Sequence, residues 1–218
     1  MPETCRNARD DIEDCLFRDG PRSFYPSDKL REYFTYTKVS KILHCTCSSC
    51  ETDKRLYGPN VDPESFINDI IGGTHDPNDQ RRTRFSVLGI LTLVEHPLFI
   101  IGFLKHNAND YLLESWVTTP SLFSRQDLEK YTGEYKRNQQ AFDRFSRRFY
   151  ENLAKFAIPH MEREGFRQYD ETVILPFIEE REIGKRQEAD GHWTSIGANG
   201  TVYAFKVHQA YDKFSVSG

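Results

Sequence analysis

Between residues 24 and 157 apolar side chains recur every three or four positions, the period of helices that bury one face. Leu30, Phe34, Ile42 and Leu43 predict a helix from Ser27 to Leu43, with Ser27 after Pro26 as its N-cap. Asp62 and Pro63 predict a second start, Phe66, Ile67, Ile70 and Ile71 supply its buried face, and Gly72-Gly73 stops it. The apolar run from Val87 to Leu104 is interrupted by Glu95, His96 and Pro97, so it reads as two buried helices that form the centre of the core. Ser124 and Asp127 have the spacing of a capping box ahead of another helix. The longest helix is expected from Tyr135 to Ala157, where Phe142, Phe145, Phe149, Leu153 and Phe156 form a core stripe and Arg144, Arg147, Arg148 and Lys155 a solvated face.

From Tyr169 onward the pattern changes to partial alternation rich in Val, Ile, Phe and Tyr, in "VILPFIEEREIG" and "GTVYAFKVH", which predicts strands. The first 23 residues show no apolar periodicity and are read as a loose arm. The expected fold class is mainly α: an arm over 1–23, a helical domain over 24–169 and a short β-ribbon over 170–218. No internal repeat or low-complexity tract interrupts this order.

Composition narrows the function classes. The formal charge of −4 comes from 29 basic and 33 acidic residues mixed along the chain, which argues against a nucleic-acid or acidic-membrane partner. With 38% hydrophobic residues the 218-residue chain can bury a core. The polar start "MPETCRNARDDIEDC" lacks the apolar core of a secretory signal, and five cysteines suit reduced thiols, so the expected location is intracellular, cytoplasmic or nuclear.

Candidate chemistry is sparse. "HCTCSSC" places three thiols between Cys45 and Cys50, but a second ligand cluster at the usual separation is missing, His44 adjoins Cys45, and Cys5 and Cys15 fall in the arm. Three thiols could contribute to a zinc site, which wants four ligands, but without a fourth the run is read as a cysteine-rich helix end or loop at a helix C-terminus, with no metal site assigned. No Gly-x-Ser-x-Gly elbow occurs, the seven histidines are scattered, and no catalytic residue is assigned.

The stretch "IGKRQEADGHWTSIGANGTVY", Ile183 to Tyr203, is more specific. A loop that wraps phosphates needs glycines where a Cβ would block the backbone's approach to oxygen. The protein-kinase version is Gly-x-Gly-x-x-Gly-x-Val. With Arg186 to Ile196 lifted out, Gly184-Lys185 joins Gly197-Ala-Asn-Gly200-Thr-Val202 and completes that pattern. The run "ILPFIEEREIGK", followed by "GANGTVYAFKVH", resembles the opening of the kinase domain in a family of filamentous-fungal protein-kinase-like proteins. The upstream segments "FYPSDKLREYFTYTKVSKIL", "ILTLVEHPLFIIGFL" and "FYENLAKFAIPHM" resemble that family's helical region, so the similarity spans about Phe24 to Phe214.

The resemblance implies the first two strands of a kinase small lobe, with Gly184, Gly197, Gly200 and Val202 as remnants of its nucleotide-binding loop. The departures imply lost catalysis. Eleven residues interrupt the glycine turn, Lys206 would lie roughly 13 Å along the strand from Val202, and the third-strand Lys, the catalytic Asp and the metal-binding Asp are missing. The expectation is a truncated, inactive kinase-like protein acting through protein contacts at the ribbon edge or the helical domain. ATP and magnesium would enter only if a full kinase domain existed. Two alternatives remain: a fragment or mis-assigned product of an active protein kinase, and a helical interaction or regulatory domain without nucleotide binding.

Overall fold

The computed structural model of the chain describes residues 5–18, 22–57, 62–73, 79–119, 122–133, 135, 138–161, 169, 171, 173–183, 185–187, 193–195 and 202–213. The fold is mainly α with a short antiparallel ribbon, as the sequence pattern predicts. Its first helix was not foreseen. Helix α1, Cys5–Glu13, occupies part of the expected loose arm and buries Cys5, Ala8 and Ile12. These fall at i, i+3 and i+7, a helical stripe that becomes visible once cysteine is counted as apolar.

The helix expected over Ser27 to Leu43 is two helices, α2 (Ser27–Tyr33) and α3 (Tyr36–Leu43). Pro26, not Ser27, occupies the N-cap of α2, and Thr35 caps α3 by accepting from the Lys38 N–H. The break lets Phe34 and Val39 both reach the core. Helix α4, Ser48–Tyr57, follows directly, so the cysteine-rich run bridges the end of α3 and the first turn of α4 and is not a helix C-terminus alone.

The other start signals behave as their chemistry requires. Asp62 accepts from the Glu64 N–H, Pro63 opens a short 3-10 turn, and α5 (Ile67–Ile71) ends at Gly72 with φ of 85°. Helix α6, Phe85–Leu93, and helix α7, Ile100–Lys105, are separated by a turn at Pro97. Helix α8, Asp110–Thr118, is capped by Asn109. The capping box of Ser124 and Asp127 forms in full at the start of α9, Arg125–Thr132. Helix α10, Gln139–Phe156, starts later than its apolar pattern suggests because Asn138 caps it.

Every residue of α6 is buried, with α1, α2, α8 and α10 packed around it. Its Val87, Leu88, Ile90 and Leu91 are removed from water, worth about 1.5–3 kcal/mol each. Two glycines permit close packing. A Cβ on Gly89 would overlap the Phe156 ring, and one on Gly102 would overlap the Tyr131 carbonyl of α9.

Burying α6 also buries its ends, whose free N–H and C=O groups need partners. At the N-terminus the Asp110 carboxylate accepts from the N–H groups of Phe85 (2.8 Å), Ser86 (3.0 Å) and Val87 (3.2 Å) and from the Thr83 hydroxyl (2.9 Å). At the C-terminus Arg148 of α10 donates to the Leu93 carbonyl at 2.8 Å. The signs match the helix dipole at both ends. Arg148 thus departs from the solvated face predicted for it, whereas Arg144 and Arg147 are exposed.

The ribbon comprises β1, Phe177–Ile183, and β4, Val202–Val207, paired antiparallel from Ile183 opposite Val202 down to Phe177 opposite Val207. Between them β2, Lys185–Gln187, and β3, Trp193–Ser195, pair with each other. The ribbon is anchored by the chain that follows it. Tyr211, 2% exposed, donates its hydroxyl to the Tyr25 carbonyl and accepts from the Ser27 N–H, both at 3.0 Å. Its ring packs beside Phe24 and His160. Met161 and Asp212 form a parallel bridge, and His208 donates to the Pro176 carbonyl. No helix among the described residues is long and apolar enough to cross a membrane.

Candidate functional site

Of the four predicted nucleotide-loop residues, Gly184, Gly197 and Gly200 lie outside the described residues, and Val202 pairs with Ile183 at the distal end of the ribbon. The inserted segment contributes strand pairs of its own, Arg186 opposite Thr194 and Gln187 opposite Trp193, next to Lys185 opposite Ser195 at its boundary. Antiparallel pairing holds such partners about 5 Å apart. The two ends of the insertion are therefore brought together. Lys206, considered as a substitute phosphate ligand, lies on β4 beside Glu179 at 3.4 Å, with both side chains mostly in water.

The ribbon base meets the helical domain at a recess of about 690 Å³. Asp110, Thr83, His160, Asp28, Arg31 and Lys213 contribute polar groups to its wall. Asp110 is the most buried of these carboxylates, and burial pushes it up to about 6 against the pull of its four donors. Three of the donors are the first N–H groups of α6 and the fourth is the Thr83 hydroxyl just ahead of it, so this carboxylate is committed to capping.

A second polar constellation joins residues that are 39 and 43 apart in sequence. His96 Nδ1 lies 3.0 Å from Asp53 Oδ2, and its Nε2 lies 3.2 Å from the Tyr135 hydroxyl. The imidazole stacks on Phe99 with ring centres 4.8 Å apart, and Phe145 meets its edge. Asp53 is fully buried, and burial raises its carboxyl while the His96 hydrogen bond opposes that shift. The relay ties α4, the turn before Pro97 and the approach to α10 into one polar contact inside an aromatic cage. No signal in the sequence pointed to it, because the three residues share no motif.

The thiols form the third constellation. Cys5 from α1, Cys45 and Cys47 from the loop after α3, and Cys50 from the first turn of α4 bring their sulfur atoms within 4.8 Å of one another. Cys5 Sγ is 3.1 Å from Cys50 Sγ and 3.9 Å from Cys47 Sγ. The N–H groups of Cys5 and Cys47 donate to Cys45 Sγ at 3.3 and 3.5 Å. Cys5, Cys45 and Cys50 are buried, and Cys47 faces a recess of about 340 Å³ that Arg6 and Arg9 also line. Hydrogen bonding from Cys50 draws the Cys5 thiol down to about 6, whereas burial pushes Cys45 up to about 11. Cys50 is raised by its hydrogen bond to Cys5 and by burial. Cys15 stands apart, half-buried and directed at the Asp11 carbonyl.

Cys5 was put in a loose arm, and the structure brings it beside the "HCTCSSC" run. His44, which adjoins that run in sequence, turns away: its Nδ1 donates to the Ser40 carbonyl at 2.8 Å and lies 3.6 Å from Glu64.

Comparison of the chain with protein-family models, with curated proteins and with solved structures finds no match.

Proposed function

We propose that these 218 residues act as a non-catalytic interaction protein of kinase-like ancestry, a helical domain that presents a β-ribbon to a partner protein. The observation that carries this reading is the ribbon itself. Its strands β1 and β4 pair antiparallel with one register shift between Phe177 and Glu179, its base is locked by buried Tyr211, and among the described residues neither strand has a second neighbour in a sheet. Tyr203 and Phe205 on β4 are each 49% exposed. An unpaired edge with aromatic side chains invites addition of a further strand. The kinase ancestry rests on the sequence resemblance alone.

Two measurements test the reading. Magnesium-ATP at millimolar concentration is expected to leave the melting temperature unmoved, whereas a ligand present well above its Kd would raise it through linkage. A clear shift, or phosphoryl transfer to a protein substrate, would overturn the non-catalytic part. For the contact itself, proximity labelling in cells compares wild type with Phe205→Lys, after circular dichroism and thermal melts establish that the variant folds despite losing the Phe205 stack on Phe177. Loss of a specific labelled partner in the variant is expected, and an unchanged profile argues against the ribbon as the contact surface.

A further inference from the structure

We propose that Cys5, Cys45, Cys47 and Cys50 form a structural zinc site that staples α1 to the junction of α3 and α4. The geometry is that of a single tetrahedral ion. Zinc–sulfur bonds of about 2.3 Å place the four sulfurs about 3.8 Å apart. The observed separations of 3.1 and 3.9 Å, with every pair inside 4.8 Å, surround that value. A multi-iron cluster, whose cysteines bind different irons, needs its ligands further apart.

The surroundings fit as well. Cys45 Sγ already accepts two backbone N–H groups, the kind of contact that stabilises a metal-bound thiolate and fixes its direction. Cys50 sits in the first turn of α4, at the positive end of that helix. Three ligands are shielded from water and the fourth, Cys47, borders the recess through which an ion reaches the site. Four thiolates crowded this closely repel one another, and a divalent cation removes that repulsion. Binding converts four thiols and one zinc ion into a tetrathiolate complex and releases the four thiol protons to solvent.

The physical consequence lies at the N-terminus. Helix α1 is nine residues long, too short to be stable alone, and it docks on α6 through Ala8 and Ile12. A metal bond from Cys5 to ligands forty residues later closes that segment onto the core.

The test uses the full chain purified under reducing conditions from zinc-supplied cells. Elemental analysis and native mass spectrometry are expected to give one zinc per chain, retained in Cys15→Ser and lost from Cys47→Ser. Cobalt(II) added to the chelator-stripped wild type is expected to give the intense visible and near-ultraviolet bands of tetrahedral thiolate coordination. This second readout needs no variant to fold. A strong chelator should lower the melting temperature of wild type and leave Cys47→Ser unmoved. The proposal fails if reduced, folded wild type holds no zinc and gives no thiolate-to-cobalt band. It fails equally if the isolated protein carries iron there or a Cys5–Cys50 disulfide.

Discussion

Removing the Asp110 carboxylate tests whether the core depends on a cap supplied from a distant element. Asp110→Ala leaves the N–H groups of Phe85, Ser86 and Val87 and the Thr83 hydroxyl without their acceptor at the end of a fully buried helix. Loss of an N-cap costs about 1–2 kcal/mol. The donors beyond the one or two that an ordinary cap serves add about 1 kcal/mol each. The adjoining recess of about 690 Å³ admits water, which restores part of this. The net expectation is a loss of about 3 kcal/mol, or roughly 6–12 °C in melting temperature for a chain of this size. Asp110→Asn should recover part of the loss, since its carbonyl accepts while its amide faces donors. Denaturant titration followed by far-ultraviolet circular dichroism measures both variants. A loss below about 0.5 kcal/mol for Asp110→Ala would refute the reasoning, because it would mean that water caps α6 as well as the carboxylate does.

The same group has a pH signature. Its folded pKa of about 6 lies above the value of an unfolded aspartate, so the proton-linked part of its contribution is complete below about pH 4 and is lost as pH rises through 6. The gap in stability between wild type and Asp110→Ala is therefore expected to be wider at pH 5 than at pH 7, and a gap independent of pH would contradict the raised pKa. Tyr211→Ala should cost about 3–5 kcal/mol and speed hydrogen exchange at β4 amides while α6 amides stay slow. Equal protection of β4 in both proteins would show that the ribbon holds without its anchor. Gly102→Ala forces a methyl group into the Tyr131 carbonyl, and thermal melts are expected to show about 1–3 kcal/mol of destabilisation. Ser124→Ala removes one half of the capping box at α9 and should cost about 1 kcal/mol by the same assay.

Much of the fold was legible because its signals are local. Asp62 with Pro63, Gly72, Pro97, and Ser124 with Asp127 act within a turn of themselves, and each does in the structure what its chemistry prescribes. The stripe of Phe142, Phe145, Phe149, Leu153 and Phe156 is buried as its period requires. The switch from helical to alternating pattern after Tyr169 marks the ribbon. Short helices were harder. Helix α1 was missed because its stripe depends on a cysteine and an alanine, and the Ser27 to Leu43 helix was drawn through a break at Phe34 and Thr35 whose apolar spacing does not betray it.

What the chain alone determined is the inventory of local elements, since helix period, caps and turns depend on neighbours a few residues away. The pairings that matter chemically were decided by tertiary structure. Asp110 reaches Phe85, Ser86 and Val87, His96 joins Asp53 to Tyr135, and Cys5 joins Cys45, Cys47 and Cys50 only because burying α6 draws α1, α2, α8 and α10 around one helix while α4 packs on the turn at Pro97. Burial leaves polar groups and helix ends without water, and the partners that satisfy them come from wherever the packing places a suitable side chain. That placement follows from the shape of the whole core, which no single stretch of the sequence carries.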